Sequence, residues 1–274
     1  MKVHANVQVK NEEVLLSAVL PIWKEYPIDN WVFFDDFSQD KTVELIKDVL
    51  GDRATIFERK EHSRYTPVAN REKMFLHSKS KLADYVVVLD ADELLSSTML
   101  TDFDELLKIN SRYNVFYYSF DAVNSLNEHR VDGIHERNFK NIVIPVAHSS
   151  CEYDISHGHA GRAPKINLQP VLTRDAGVVH LHTLSKRYYA LKELYKKHRD
   201  FRELMNSVED INIEYDTVVN MLQFENEETP EKIVAGISFD SFVMEKAANE
   251  KKYKDYILKN KVEGLVTFGK EYLA

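Results

Sequence analysis

An α/β fold, with a mostly parallel sheet flanked by helices and a helical C-terminal extension, follows from three features of the sequence. Strand-length apolar runs alternate with helix-length amphipathic segments through about the first hundred residues, the pattern of consecutive β-α units. Each run ends in polar or acidic residues, as strands do where they leave the buried layer at the ligand-binding edge of an open sheet. From Ser185 onward helical periodicity replaces the alternation, so a domain over residues 1–184 and an extension over 185–274 are expected.

Val3 to Val9 alternates loosely between apolar and polar residues; Lys10-Asn11-Glu12-Glu13 is a polar turn, and Val14 to Trp23 has helical apolar spacing. Trp31-Val32-Phe33-Phe34 runs into Asp35 and Asp36 as a second buried strand, with Thr42 to Leu50 helical behind it and Ser38 and Asp40 placed to cap that helix. Ala54 to Arg59 reads as a third strand and Pro67 to Ala83 as the helix leading to Tyr85-Val86-Val87-Val88-Leu89. That uncharged, branched run is what a strand buried on both faces looks like, and it ends in Asp90 and Asp92. In a right-handed doubly wound sheet these strand ends share one edge, so Asn11, Asp36 and Asp90 are expected to meet.

Beyond Asp92, Leu100 to Ile109 reads as a helix and Val115 to Phe120 as an aromatic-rich strand. Asp121 to Arg174 has few long periodic segments and reads as loops that bind or cover a ligand. Gly177 to Thr183 reads as a short strand with His180 and His182, two residues apart, on one face. Lys186 to Arg202 is a helix with a local basic excess and Tyr188, Leu191, Leu194 and Tyr195 turned inward. Its basic face is either simply solvated or set against anionic lipid or a phosphate-bearing acceptor, a peripheral membrane contact. Ile211 to Phe224 and Glu231 to Leu273 add helices whose apolar stripes either pack on the sheet or form a homodimer interface.

The bulk composition narrows the classes. With 274 residues, 44% hydrophobic and 29% charged, the chain is an ordinary globular protein rather than a disordered or fibrous one. A formal charge of -8 argues against nucleic acid as a partner, since phosphate neutralisation favours a basic face. The one cysteine, Cys151, excludes an intramolecular disulfide and a cysteine zinc site and fits a reducing compartment. MKVHANVQVKNEE has no signal-peptide core and no apolar run approaches the roughly 20 residues that span a bilayer, so a cytoplasmic protein is expected.

Hard carboxylate oxygens at the end of a buried parallel strand suit Mg²⁺ or Mn²⁺ carrying a phosphate group. Asp102 and Asp104 form a second D-x-D, but no apolar strand precedes them and ELLK follows, so they complement the positive end of a helix. Neither G-x-G-x-x-G nor G-x-x-x-x-G-K-[ST] occurs, which removes the dinucleotide fingerprint and the P-loop as explanations of the α/β pattern.

Val9-Lys10-Asn11-Glu12-Glu13, FFDDFSQDKT, Ala69-Asn70-Arg71 and LDADE, in that order and spacing, resemble the successive landmarks of family 2 glycosyltransferases with the GT-A fold. The resemblance implies a metal-dependent, inverting transfer of a sugar from a nucleotide-diphosphate donor, UDP first, to a glycan or lipid-linked acceptor. It sets Asp36 on the nucleotide base, Val9, Asn11 and Glu12 along base and ribose, and Asn70 to Lys73 along the nucleotide. It sets Asp90 with Ala91 near the ribose and Asp92 on the metal. It also implies a late-strand histidine on that metal, His182 before His180, and nitrogen beside carboxylate favours Mn²⁺ over Mg²⁺. A base for the acceptor hydroxyl is sought among the acids after the D-x-D, Glu152 and Asp154 first and then Glu136. Phe37 and Lys41 stand where the family commonly has glycine. The rival readings are a metal-dependent nucleotidyltransferase or phosphohydrolase on a similar sheet, and a non-catalytic sugar-nucleotide or glycan-binding module. Lys10-Asn11-Glu12-Glu13 is not the glycine-rich basic loop of a nucleotidyltransferase, and intact acids at Asp36, Asp90 and Asp92 speak against a binding module.

Overall fold

The computed structural model describes residues 1–60, 67–153, 162–186, 188, 189, 192 and 224–248. In chain order it begins with β1 (Val3–Val9), α1 (Glu13–Lys24), β2 (Asn30–Asp35), α2 (Thr42–Leu50), β3 (Ala54–Glu58), α3 (Pro67–Ser80) and β4 (Tyr85–Asp90). There follow β5 (Glu93–Leu95), α4 (Ser97–Thr101), α5 (Phe103–Asn110), β6 (Asn114–Val123), β7 (Ser125–Arg130), β8 (Phe139–Asn141) and β9 (Val143–Pro145). The remainder is β10 (Ser149–Tyr153), β11 (Pro164–Ile166), β12 (Pro170–His180), β13 (Asn226–Glu228), α6 (Glu231–Val234) and α7 (Phe242–Ala248).

The first sheet has the order β3-β2-β1-β4-β9, parallel except for β9 against β4. Successive units step from β1 to β2 to β3, and the chain then crosses back to the other side of β1 for β4. The crevice between β1 and β4 is therefore the topological switch point, where open α/β sheets bind ligands. Val3, Ala5, Val7 and Val9 pack with Leu15, Leu16, Val19, Leu20 and Trp23 of α1 on one face. On the other face Val86 and Val88 meet Phe75 of α3, and Val32 and Phe34 meet Met74. Trp23 stacks on Trp31 at 5.0 Å and donates its indole N–H to the Glu93 carbonyl at 3.0 Å, which fastens α1 to the segment just after the D-x-D.

The polar half of the β1 alternation lies under α3 rather than in water. Asn6 accepts a hydrogen bond from the Ser78 hydroxyl at 3.1 Å, and His4 is 1% exposed with neither ring nitrogen hydrogen-bonded among the described residues. Burial, with the nearby Lys2 and His77 charges, lowers the His4 imidazole to about 4. The unfolded chain takes up this proton below about pH 6.5 while the folded one resists it down to about pH 4, so stability falls across that interval as pH drops. The expected penalty is about 2 to 4 kcal/mol. His4→Leu, which leaves no ring to protonate, should lose that part of the slope in denaturant titrations at successive pH values and change little at pH 8. A wild-type slope retained in the variant would assign the acid sensitivity elsewhere.

To the expected parallel layer the structure adds a second, mixed sheet, β13-β7-β6-β12-β5, with β8 also on β6. In it β6 and β12 are parallel and the other pairs antiparallel. The stretch from Asp121 to Arg174, read as loops, thus contains β7 through β11; strands of three to six residues are too short to display a period of two. Gly177 lets β12 lie against β6, because a Cβ there would sit 2.0 Å from the Tyr118 carbonyl oxygen. Past residue 184 the chain is less uniformly helical than its periodicity suggests, since Asn226–Glu228 is a strand on β7 and residues 235–241 lie outside the helices. Tyr188 is buried, as the inward face of the basic helix requires, and Lys186 is exposed. Most of Lys186 to Arg202, residues 211–223 and residues 249–273 lie outside the described residues, and with them most of the stretches invoked for membrane contact and dimerisation; in the described part of Glu231 to Leu273, Ile233, Met244 and Ala247 pack into the core. No helix among the described residues is long and apolar enough to cross a membrane.

Candidate active site

The carboxyl ends of β1, β2 and β4 meet as expected: Val9 pairs with Asp35, Gln8 with Asp90, and the Asp36 amide donates to the Val9 carbonyl at 2.9 Å. Two loops are laced together beyond them. The Asn11 amide donates to the Ser38 hydroxyl at 2.8 Å, the Gln39 amide to the Asn11 side chain at 2.7 Å, and the Glu12 amide to the Thr42 hydroxyl at 2.8 Å. The N-cap position of α2 is Lys41, not Asp40 or Ser38 as the sequence suggests; Asp40, one residue earlier, accepts from the Thr42 amide at 3.0 Å, and Ser38 serves Asn11 instead. Phe37 has φ 65°, the left-handed conformation a glycine adopts without strain; a side chain there costs about 1–2 kcal/mol, so the turn keeps its shape despite the substitution. Lys41, at φ -85°, needs no glycine.

Asp36 is buried and held by Arg59 at 2.8 Å and Lys10 at 3.3 Å. Arg59 reaches on to the Asn70 side chain at 3.3 Å, and the Lys73 ammonium lies over the Phe57 ring at 4.6 Å. Asp35 turns back instead: it accepts from the Ser38 amide at 3.0 Å, and burial pushes its carboxyl up. It is the turn acid of the pair.

Asp90 and Asp92 separate into two environments. The Asp90 side chain is 40% exposed and pairs with Arg162 at 2.7 Å and Arg71 at 3.9 Å. Burial would raise its carboxyl, but the two guanidiniums outweigh burial and hold it below the ordinary value. Arg162 also binds the Val88 carbonyl at 2.9 Å and the Glu93 carboxylate, and Lys140 reaches Glu93 at 2.9 Å. Asp92 is 2% exposed and faces the second sheet. The Leu181 amide donates to its carbonyl at 2.8 Å, its carboxylate lies 3.4 Å from His180 Nε2, and the Lys192 ammonium bonds its other oxygen. Burial would raise this carboxyl too, and Lys192 with His180 holds it well below the ordinary value.

Asp92, His180 and His182 each offer one ligand atom, all within 4.8 Å of one another. β12 ends at His180 and His182 lies in the turn beyond it, yet the two rings approach to 3.9 Å. Burial and Lys140 press the His180 imidazole down, but Asp92 and Asp121 outweigh them and hold it above its ordinary value. Burial and the neighbouring His180 charge hold His182 well below its own. His182 Nδ1 is buried with no hydrogen bond among the described residues. One carboxylate oxygen and two imidazole nitrogens, one of them orphaned, fit a divalent ion of borderline softness such as Mn²⁺.

The structure thus gathers Val9, Asn11, Glu12, Asp36 and Asn70 at one end of the crevice and Asp90, Ala91, Asp92, His180 and His182 at the other. Asp102 and Asp104 are exposed at the start of α5, away from both. Glu152 is exposed on β10, whose Cys151 and Tyr153 pack against the α3 side, and Glu136 is exposed in the turn Gly133–Arg137. Asp154 lies outside the described residues. Sequence reasoning missed Asp121, Glu93, Arg162, Lys140 and Lys192. Signals were nevertheless present: like Asp90, Asp121 ends an apolar strand, Val115 to Phe120, Glu93 closes the LDADE landmark, and Lys192 lies in the basic stretch Lys186 to Arg202.

A doubly wound sheet with strand-end acids at its switch point, and with Asp92, His180 and His182 clustered beside it, is the α/β architecture that the GT-A class has. Residues 7–161, more than half of the 274, match the family model described as Glycosyl transferase family 2. The chain belongs to that family, and the match runs well past the landmarks of the first hundred residues. Among solved structures it is similar to S. aureus TarS 1-349 in complex with UDP-GlcNAc, at 12% identity over 73% of this chain and 70% of that one, TM-score 0.47. It is similar to S. aureus TarS at 13% identity over 73% of this chain and 42% of that one, TM-score 0.46. The figures for GalNAc-T7 with UDP, GalNAc and Mn²⁺ are 13% identity, 70% and 47%, TM-score 0.42. The chain spans less than half the length of the latter two. No curated protein matches it in sequence.

Proposed function

We propose that the chain transfers a sugar from a nucleotide-diphosphate donor, UDP-linked in the first instance, to a hydroxyl of a glycan or lipid-linked acceptor, with inversion and with help from a divalent ion. The observation that carries this reading is the convergence of Asp92, His180 and His182 beside the switch point of a family 2 chain. Residues 1–184 form the catalytic unit in this reading and 185–274 the extension.

The chain's own groups divide the work by position. Asp36 accepts a hydrogen bond from the base, with Lys10 and Arg59 fixing its carboxylate. Asn11 and the turn it laces to Ser38 and Gln39 border base and ribose. Asp90, steadied by Arg71 and Arg162, borders the ribose, and those guanidiniums with Lys73 set positive charge beside the phosphates. Asp92, His180 and His182 hold the ion, Mn²⁺ before Mg²⁺. Bound there, it would neutralise charge growing on the diphosphate as the sugar leaves. Direct displacement requires a base for the acceptor hydroxyl, and Glu152 and Asp154 are the proposed carboxylates.

Individual nucleotide sugars incubated with the protein and Mn²⁺ should give slow release of the nucleotide diphosphate for one of them. Nucleotide binding that is indifferent to Mn²⁺, with no release from any donor, would return the chain to a binding module. Asp36→Ala should weaken UDP binding about ten- to a hundredfold with or without Mn²⁺, the value of about 1.5 to 3 kcal/mol for a hydrogen bond to a charged acceptor. A loss seen only when Mn²⁺ is present would move Asp36 to the ion's surroundings.

A further inference from the structure

We infer that Asp121 is the positioning residue of the metal site: it fixes the ring of His180 so that Nε2 faces the ion. The inference rests on the metal reading above and goes past it to a residue that binds neither donor nor ion. Asp121 and His180 are register partners across the parallel β6–β12 pair. The Asp121 side chain is fully buried, and its Oδ1 lies 2.7 Å from His180 Nδ1. The other ring nitrogen, Nε2, is the one 3.4 Å from Asp92. The imidazole thus spans two carboxylates, and Asp121 occupies the side away from the ligand cluster. A neutral ring in this setting donates Nδ1–H to Asp121 and presents the Nε2 lone pair to the ion, the arrangement by which an outer carboxylate selects tautomer and orientation.

Asp121 is itself immobilised. Ser119 donates to its Oδ1 at 3.1 Å, Asn138 to its Oδ2 at 3.0 Å, and His135 Nδ1 bonds the same oxygen. A carboxylate has about four lone-pair sites, enough for four donors; an amide offers two on one oxygen and turns its own N–H groups toward the rest. Asparagine therefore fits the volume but not the hydrogen bonding. The Tyr118 hydroxyl, bonded to the His135 carbonyl at 2.8 Å, pins the turn that carries His135.

Mn²⁺ titrated calorimetrically into wild type, Asp121→Asn, His180→Gln and the double variant, with UDP present, separates positioning from plain structural support. Asp121→Asn should bind Mn²⁺ about 10- to 100-fold more weakly than wild type. In the His180→Gln background the same change should cost less than about threefold, because the ring it orients is gone. Wild-type affinity in Asp121→Asn, or an equal loss in both backgrounds, would overturn the inference. Should wild type bind no Mn²⁺, the metal reading fails and takes this one with it, an outcome distinct from an unaffected variant. A second readout needs no variant to fold at position 121. Nitrogen-15 spectra of histidine-labelled wild type, assigned against His180→Gln and taken where the ring is neutral, should show His180 protonated at Nδ1. Protonation at Nε2 would overturn the assignment whatever the affinities.

Discussion

Asp92→Ala should lower Mn²⁺-supported binding of UDP by about a hundredfold or more, at least about 2.7 kcal/mol, in a protein that stays folded. Asp92 is buried, but it lies beyond the β4 run that packs between the helices, and no apolar core atom is lost with it. Its two oxygens are engaged by Lys192 and His180 rather than by backbone. Removing the carboxylate takes away a ligand and leaves the Lys192 ammonium, no longer neutralised, next to an ion it would repel, so both effects act against the metal. The two groups left without their acid also weaken the fold, by about 1 to 3 kcal/mol for unsatisfied buried partners. Calorimetry with UDP, with and without Mn²⁺, separates these effects. UDP affinity without metal should stay near that of wild type. Asp102→Ala provides the control, since its carboxylate is exposed at the start of α5 and should alter binding less than about twofold. Wild-type Mn²⁺ support in Asp92→Ala would remove the metal assignment, and a large loss in Asp102→Ala would mean the other acid pair carries it.

Half of this site could be read in the sequence because of where its residues sit on strands. β1, β2 and β4 are long enough to show their character and are punctuated by Asn, Asp and Ser, and parallel pairing then forces their ends together. Asp36, Asp90 and Asp92 follow from that rule alone. The two histidines were legible in part: alternation along a strand brings them to one face, while in the structure a turn after His180 does so. The partners of these residues were not legible. Arg162 meets Asp90 across 72 positions and Lys192 meets Asp92 across 100, and no local pattern encodes such meetings. The second sheet was hidden for another reason. β5, β8 and β13 are three residues each, below the length at which alternation can be seen, and they are recognisable only through their partners β12, β6 and β7. Phe37 shows the opposite case, a residue poorly suited to its backbone conformation that the laced loops around it nevertheless hold in place.

The pH dependence of metal binding should belong to His180 and not to His182, although both lie in the ligand cluster. The direction follows from their surroundings. His180 sits between Asp92 and Asp121, which hold its imidazole above the ordinary value, so in the metal-free protein it keeps its proton to higher pH than a free histidine. His182 is buried beside that cationic ring and is held well below, so it is already neutral and ready to bind near pH 7. An ion entering the cluster must expel the His180 proton and none from His182. Below the His180 pKa, Mn²⁺ affinity should therefore fall by up to about tenfold per pH unit, starting above the usual histidine range near 6.5. His182→Ala should bind more weakly at every pH and keep this slope. His180→Gln should bind more weakly at pH 8 yet show a much flatter profile down to about pH 6, so that its curve and the wild-type curve converge as pH drops. Mn²⁺ titrations at successive pH values, corrected for protonation of UDP by parallel titration of UDP alone, measure both slopes. A full wild-type slope in His180→Gln, or its loss in His182→Ala, would reverse the assignment and make His182 the ring whose proton the ion displaces.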